Sequence, residues 1–201
     1  MSRHHRRRWL GAAITVGVLI GALGPGATGV LAKPPAHCVT PSGVDLNVAD
    51  GVTAAIVAPF CAEIAAGHRW TVTNDWLMNA RFDNIPAGFV PVGATPTEDY
   101  VAKFEAVKYV VDPGPKEKTF VFTNVEDLTI RGPLPPFGFF VADPITLGSM
   151  SPLKPGTHVV ESYIVMSALH CDGLFASIAN NCLQGVTQFP TVEFTVTPLN
   201  G

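Results

Sequence analysis

Short runs in which apolar and polar side chains alternate recur along this chain, separated by Pro, Gly and Thr about every ten residues. In the clearest run, 191–197, Val192, Phe194 and Val196 alternate with threonine and glutamate. Such alternation turns one face of a strand to a core and the other to water. The pattern predicts a β-sandwich, in which Trp70 is expected between the sheets. The other strands predicted in this way are 69–73, 106–111, 119–123, 125–130 and 157–167.

One short helix is predicted within this β pattern, near residues 96–104. The motif Thr-Pro-Thr-Glu at 95–98 is typical of a capping box with proline at the first helical position, and apolar residues follow at helical spacing. Asp-Pro-Gly at 112–114 predicts a turn between two strands. The stretch 48–66 is rich in alanine and interrupted by a proline, so it is predicted as strand and loop.

The first 32 residues have the pattern of a signal peptide. A basic segment with four arginines precedes the uncharged apolar run 9–23, and small residues favour cleavage after Ala32. The alternative is an uncleaved membrane anchor, because 9–32 carries no charge and a bilayer span needs roughly 20 apolar residues. We therefore expect a secreted or cell-surface protein in which 33–201 form a single domain.

The charge of the predicted mature chain argues against nucleic acid as a partner. The full chain has 13 basic and 16 acidic residues, and four of the basic ones lie in the predicted signal peptide. Nine basic residues then face 16 acidic ones, a net charge of −7. Phosphate binding needs a basic surface, so nucleic acid is excluded as the expected partner.

All four cysteines lie in the predicted exported part of the chain, where an oxidising environment lets thiols pair. Four cysteines allow three connectivities. Closeness in sequence favours Cys38 with Cys61 and Cys171 with Cys182, each bond adding about 3 kcal/mol through loop entropy. A zinc site is disfavoured because the sequence has no Cys-x-x-Cys pair.

The segment 171–182 is accordingly predicted as a disulfide-closed loop between the final two strands. It holds three apolar residues, Leu174, Phe175 and Ile178. Loops at the end of a sandwich vary without disturbing the core, so recognition is often placed there. The three side chains either fold back on the sheet edge, as such residues usually do, or meet a partner. The loop is thus a candidate interaction site.

Motifs for a named reaction are missing from the sequence. The pattern G-x-G-x-x-G at 24–29 falls inside the predicted signal peptide, so it does not predict a dinucleotide site. The histidines at 37, 68, 158 and 170 lack ligand spacing, although His158 and His170, with Asp172, offer a metal-binding alternative. Carboxylates that pair only in three dimensions would permit a hydrolase. We predict no catalytic residue and no cofactor.

Three segments near the carboxyl terminus carry a family resemblance. Residues 154–164 read Lys-Pro-Gly-Thr-His-Val-Val-Glu-Ser-Tyr-Ile, 167–173 read Ser-Ala-Leu-His-Cys-Asp-Gly, and 192–196 read Val-Glu-Phe-Thr-Val. They resemble the last two strands of bacterial secreted immunoglobulin-like sandwiches, an ending that copper-resistance periplasmic domains share. The resemblance covers about a quarter of the mature chain and concerns a strand pair rather than a chemistry. It implies an immunoglobulin-like antiparallel β-sandwich with one short helix.

The resemblance carries no functional residue with it. Copper domains of that kind, and oxidative polysaccharide-cleaving enzymes with a related sandwich, place a metal-binding histidine at the mature N-terminus, whereas this chain would begin at Lys33. The mature sequence also looks like secreted proteins of high-GC bacteria, which implies a location and no activity.

The sequence therefore predicts a non-catalytic binding module at the cell surface or outside the cell. Its expected partner is a protein, a glycan or an envelope component, and a membrane only through an uncleaved N-terminal segment. The first alternative is a carrier of copper or zinc that uses His158 and His170, and the second is a secreted hydrolase.

Overall fold

Strands are the most frequent regular elements of the structure, a computed structural model that describes residues 36–73, 75–134, 139–143 and 149–199. These residues belong to one compact unit spanning Lys33–Gly201. The predicted signal peptide, 1–32, lies outside the described residues. Within the part of the chain that is described, none of the helices has the length and apolar character needed to cross a membrane.

The elements are numbered in chain order. The described residues form α1 (Leu46–Ala49), β1 (Ala55–Val57), β2 (Glu63–Ala65), β3 (Trp70–Val72), β4 (Trp76–Met78), α2 (Pro96–Lys103), β5 (Phe104–Val111), β6 (Lys118–Phe122), a 3-10 turn (Val125–Asp127), β7 (Thr129–Leu134), β8 (Phe139–Asp143), β9 (Gly156–Cys171), α3 (Ile178–Asn181), β10 (Cys182–Gln188) and β11 (Val192–Thr197).

The 16-residue strand β9 is the centre of the largest sheet. Five strands of this sheet follow the order β2-β11-β9-β5-β6, and β10 also pairs with β9. One edge of β9 pairs with β5; the other pairs with β11 along its first part and with β10 along its second. The strands β4, β8 and β7 form a second sheet, and β1 pairs with β3. The prediction of a mainly β protein is confirmed.

Two of the strand pairs are parallel, in contrast to the antiparallel sandwich that was predicted. They are β1 with β3 and β2 with β11. A parallel pair needs a crossover of a dozen or more residues rather than a hairpin. An alternating pattern within one strand shows which face is buried and does not give the direction of the neighbouring strand.

The core lies on one face of the large sheet. Above one part of the sheet, β1 and β3 pack in a cluster that includes Tyr109 and the ring pair Trp70 and Phe194, with centroids 5.0 Å apart. A second cluster holds Met78 of β4, Ala142 of β8 and Ile164 of β9. Trp70 is fully buried, as the sequence predicts.

Local sequence signals predicted several elements correctly. The capping box of α2 is complete, since the Glu98 backbone N–H donates to Thr95 Oγ1 and the Glu98 carboxylate accepts from the Thr95 N–H. Both favoured disulfides are present, Cys38 with Cys61 and Cys171 with Cys182.

Two strand predictions need correction. The stretch 125–130 begins as a 3-10 turn because the Asn124 side chain accepts from the Glu126 N–H, and β7 starts only at Thr129. The strand β10 was not predicted. The disulfide-closed loop therefore joins β9 to β10 and not the final two strands, which are β10 and β11.

Candidate functional site

The disulfide-closed loop, defined here as residues 171–182, presents two large apolar side chains to solvent. Phe175 is 66% exposed and Ile178 is 53% exposed, whereas Leu174 is half-buried. Of these three side chains, Leu174 is partly covered as expected for folding back on the sheet, whereas Phe175 and Ile178 are not. A large apolar side chain left in water gains nothing for folding, which makes this loop the first candidate for an interaction site.

The base of the loop is closed by covalent and hydrogen bonds. Cys171 and Cys182 lie directly opposite each other in the β9–β10 ladder and form a disulfide. The buried Asp172 carboxylate accepts from the Leu174 N–H (2.8 Å) and from Asn181 Nδ2 (2.9 Å). The Asp172 N–H donates in turn to the Asn181 carbonyl (2.9 Å). Asp172 thus satisfies backbone and side-chain donors inside the loop.

A neighbouring segment, 79–84, fastens the loop from outside. The Asn79 N–H donates to the Asp172 carbonyl (2.8 Å), and Asn84 Nδ2 donates to the Leu174 carbonyl (3.1 Å). Gly173 has a φ of +76° and lies so close to the Arg81 carbonyl that a Cβ would collide with it. Glycine is therefore required at this position, and the base of the loop is held from both sides.

A buried polar network lies directly before the loop, around His170 at the end of β9. His170 Nδ1 is 2.9 Å from Asp99 Oδ2, and Trp76 Nε1 is 3.2 Å from His170 Nε2. Asp99 Oδ1 pairs with Lys103 Nζ at 2.7 Å. The side chains of His170 and Asp99 are fully buried, and that of Lys103 is 5% exposed. The network joins α2, β4 and β9.

The remaining bonds of the network reach two further segments. Lys103 Nζ donates to the Leu169 carbonyl (2.6 Å) and lies 4.7 Å from the ring centre of Phe89. Asp99 Oδ1 accepts from the Val92 N–H (2.7 Å). The carboxylate thereby fixes an exposed stretch in which Val92 is 70% exposed. One network therefore holds the base of the disulfide loop and a second apolar segment.

Hydrogen-bond chemistry decides which nitrogen of His170 carries its proton. An indole N–H can only donate, so His170 Nε2 accepts from Trp76 and the proton sits on Nδ1, where it is donated to Asp99. Burial lowers the pKa of His170, against the opposing hydrogen bond and charge of Asp99. The imidazole is therefore neutral, and the cluster holds one negative charge, on Asp99, and one positive charge, on Lys103.

The two buried carboxylates near His170 differ in their pKa. Burial raises the pKa of Asp99, but hydrogen bonds from His170 and Lys103 outweigh it and hold that pKa below its usual value. Burial also raises the pKa of Asp172, and there the bonds from Asn181 and the Leu174 N–H do not fully compensate. Asp99 is thus stabilised as an anion, and Asp172 is the more readily protonated of the two.

The pairing of Asp99 with His170 looks like the carboxylate and imidazole of a general base. In such a base Nε2 removes the proton of a nucleophile or of water. Here Nε2 is buried and already accepts the Trp76 N–H. Within the described residues, this pair joins structural elements and is not arranged to take up a substrate proton.

The structure does not bring together the histidines of the metal-binding alternative. His158 lies twelve positions before His170 on β9, which corresponds to about 40 Å along the strand. His158 Nδ1 faces Asp112 Oδ2 (2.8 Å), and its Nε2 faces the Lys154 carbonyl (2.9 Å). Asp172 accepts the loop bonds described above. No cluster of three or more His, Cys, Asp or Glu that could hold a metal occurs in the described ranges.

A shallow cleft of about 360 Å³ opens beside the other disulfide, Cys38 with Cys61. Ile56 and Phe60 supply apolar lining, and His37 contributes an exposed imidazole that is already bonded to Asp45 (2.7 Å). Ligand sites usually combine an enclosed apolar wall with convergent polar groups. The open cleft is therefore a weaker candidate than the disulfide-closed loop.

Sequence reasoning identified the loop and missed the network beneath it. Asp99 and Lys103 stand four positions apart on the predicted helix, a spacing that favours an ion pair, and this was the one available signal.

Comparison with known proteins found no match: no family model matches the chain, and neither does a curated protein or a solved structure. The geometry of the loop and its base is therefore the basis for a functional proposal.

Proposed function

We propose that this protein is a non-catalytic binding module that contacts another protein through the disulfide-closed loop. The observation that carries the proposal is the 66% exposure of Phe175 on a loop whose base is held by a disulfide and by hydrogen bonds. An aromatic side chain on a fixed support loses little conformational freedom on binding. Aromatic residues with such support are typical energetic centres of protein interfaces.

The charge of the loop favours a protein surface over an ionic ligand. Asp172 is the one charged residue in 171–182, and its side chain is buried. The exposed tip therefore offers Phe175 and Ile178 without a charge, next to the polar, exposed Asn180. An apolar centre with a polar edge is the usual anatomy of a protein interface. The expected partner carries an apolar pocket that accepts the Phe175 ring.

The finer fold assignment supports the same location. We infer an immunoglobulin-like sandwich because the order β11-β9-β5-β6 matches the order G-F-C-C′ of such domains. In this assignment the loop lies in the connection between strands F and G. Variable domains use that connection for recognition, although the analogy gives the place and not the partner.

The expected location is outside the cytoplasm, at the cell surface or in the medium. Two disulfides are compatible with an oxidising compartment. The predicted signal peptide at 1–32 supplies the route. Amino-terminal sequencing of the exported protein should begin at Lys33, and material that starts at Met1 would favour the membrane anchor.

Site-specific photo-crosslinking in the native cells tests the proposed interface. A photoreactive phenylalanine analogue replaces Phe175 in one variant and Val186 in the control. Val186 is also 66% exposed, but it lies on β10 outside the loop. We expect a discrete crosslinked product from position 175, suppressed by excess unmodified protein, and none from position 186. The absence of a product at 175, or the same products from both positions, would contradict the proposal.

A further inference from the structure

The imidazole of His170 is the point at which three elements meet. Trp76 belongs to β4, Asp99 to α2 and His170 to β9, and both ring nitrogens of the histidine are engaged. The Trp76 bond is available only while Nε2 is unprotonated, because an indole N–H cannot accept a hydrogen bond. We call the arrangement with this bond formed the closed form, and the arrangement without it the open form. The closed form therefore requires a neutral His170.

A second proton on His170 would set two N–H groups against each other and place a positive charge in a buried site. The charged or titratable groups that face the ring are Asp99, Tyr100 and Lys103 from α2 and Asp172 from the loop, while β4 contributes the uncharged Trp76. Asp99 is already paired with Lys103, so it offers only partial compensation. Burial accordingly lowers the pKa of His170.

Trp76 lies close in sequence to the segment 79–84, which is hydrogen-bonded to the disulfide-closed loop. Trp76 stands three residues before Asn79, whose N–H donates to the Asp172 carbonyl and whose Nδ2 lies 3.3 Å from the Gly173 carbonyl. His170 itself is adjacent to Cys171 of the loop base. Losing the Trp76 bond therefore weakens both attachments of the loop, at Asn79 and at the end of β9.

We propose that His170 is an acid-sensitive latch, whose protonation releases Trp76 and loosens the disulfide-closed loop, so that partner binding through Phe175 weakens at mildly acid pH. The regulatory meaning of the latch rests on the proposed function of the loop. The latch itself is a property of the isolated protein.

The direction of the pH effect follows from linkage. His170 in the closed form has a pKa below the ordinary value of 6.5, so an open form takes up a proton first as the pH falls. The stabilisation of the closed form is complete above pH 6.5 and declines as the pH falls below it. The raised pKa of Asp172 acts in the opposite sense, since the closed form then binds that proton more readily.

Hydrogen–deuterium exchange of the complete exported protein at about pH 7.5 and pH 5.5 tests the latch, after correction for intrinsic exchange. Opening of 171–182 and 75–84 should become more frequent at the lower pH, by at most about tenfold, because an open-state histidine of pKa 6.5 is then mostly protonated while the closed form binds the proton less readily. His170→Gln should remove this response, since an amide still donates and accepts but does not titrate. Unchanged protection in the wild type would overturn the proposal.

The matched control is His158→Gln, the same substitution on the same strand. It should keep the full pH response, and loss of the response in both variants would contradict a specific role for His170. If His170→Gln does not fold, two measurements remain. Trp76→Phe should shrink the response, and ¹⁵N NMR of the wild type should show a neutral His170 with its proton on Nδ1 at pH 7.5. A full response in Trp76→Phe, or a charged His170, would refute the latch.

The two proposals fail separately. A loop that opens with acid but gives no crosslink from position 175 would refute the binding function and leave the latch standing. A crosslink at 175 together with pH-independent exchange would refute the latch and leave the binding function standing.

Discussion

The two ends of β9 each carry a histidine bonded to an aspartate, and the two pairs behave differently. At the first end His158 meets Asp112, whose side chain is 47% exposed, and the Lys154 carbonyl. At the other end His170 meets Asp99 in full burial, with the Trp76 N–H on its second nitrogen. The first imidazole faces two acceptors, and the second faces one acceptor and one donor.

The two pairs differ in the solvent exposure of the aspartate and in the partner of the second ring nitrogen of the histidine. At the Asp112 end the carboxylate is 47% exposed, so solvent screens its interaction with His158. At the Asp99 end water is excluded, and a new charge must be matched by groups already in place. The two pairs on this strand therefore differ in how far solvent screens the charge of the aspartate.

The largest expected effect is a difference in the free energy of unfolding between the Asp→Asn substitutions at Asp99 and at Asp112. Asp99→Asn should lower the free energy of unfolding by about 3 kcal/mol or more, because Lys103 stays buried without a counter-charge and cannot become an acceptor. Asp112→Asn should cost about 1 kcal/mol or less, since the Asp112 side chain is 47% exposed and solvent already screens its interaction with His158. Denaturant unfolding of both variants measures the difference, and equal losses would remove the contrast between the two ends.

An intermediate effect is expected at the indole. Trp76→Phe leaves the buried His170 Nε2 without a donor, which should cost about 2 kcal/mol at pH 7.5. The difference in the free energy of unfolding between the variant and the wild type should become smaller at pH 5.5. The variant can protonate His170 without losing the hydrogen bond from Trp76.

The control for lost ring packing is Phe189→Leu. Phe189 contacts the edge of the Trp76 ring, with centroids 6.3 Å apart, and makes no bond to His170 in the described structure. Phe189→Leu should lower the free energy of unfolding by the same amount at pH 7.5 and pH 5.5. A Trp76→Phe deficit that is also independent of pH would show that packing, rather than the hydrogen bond, accounts for the loss.

The smallest expected effect on stability lies in the loop. Phe175→Ser should change the free energy of unfolding by about 0.5 kcal/mol or less, because the ring is mostly in solvent. Leu183→Ala, on the adjoining strand β10, removes a buried side chain and should cost about 2 to 5 kcal/mol. Thermal or denaturant unfolding compares the two, and a loss of 2 to 4 kcal/mol from Phe175→Ser would mean that the loop is structural.

Features coded by neighbouring residues could be predicted from the sequence. The α2 capping box needs only residues three apart, Thr95 and Glu98. The disulfide between Cys171 and Cys182 closes a short loop, with a sequence separation of 11. The alternating run in β11 places Phe194 on the buried face as expected. In each case the interaction is local, so the pattern alone specifies it.

The network around His170 could not be predicted because its partners come from distant parts of the chain. Asp99 lies 71 positions and Trp76 lies 94 positions away from His170 in sequence. Strand β10 escaped prediction for another reason. Its central residues are exposed and Gly185 interrupts the ladder, so the two-residue alternation is lost.

Affinity for the partner captured at position 175 tests the central claim most directly. The claim predicts that Phe175→Ser weakens binding by about thirtyfold or more, as expected for an interface centre worth about 2 kcal/mol. The matched variant Val186→Ser should leave affinity unchanged, and both should unfold at nearly the wild-type temperature. An affinity for Phe175→Ser equal to that of the wild type, with the fold intact, would contradict the claim that the disulfide-closed loop is the binding surface.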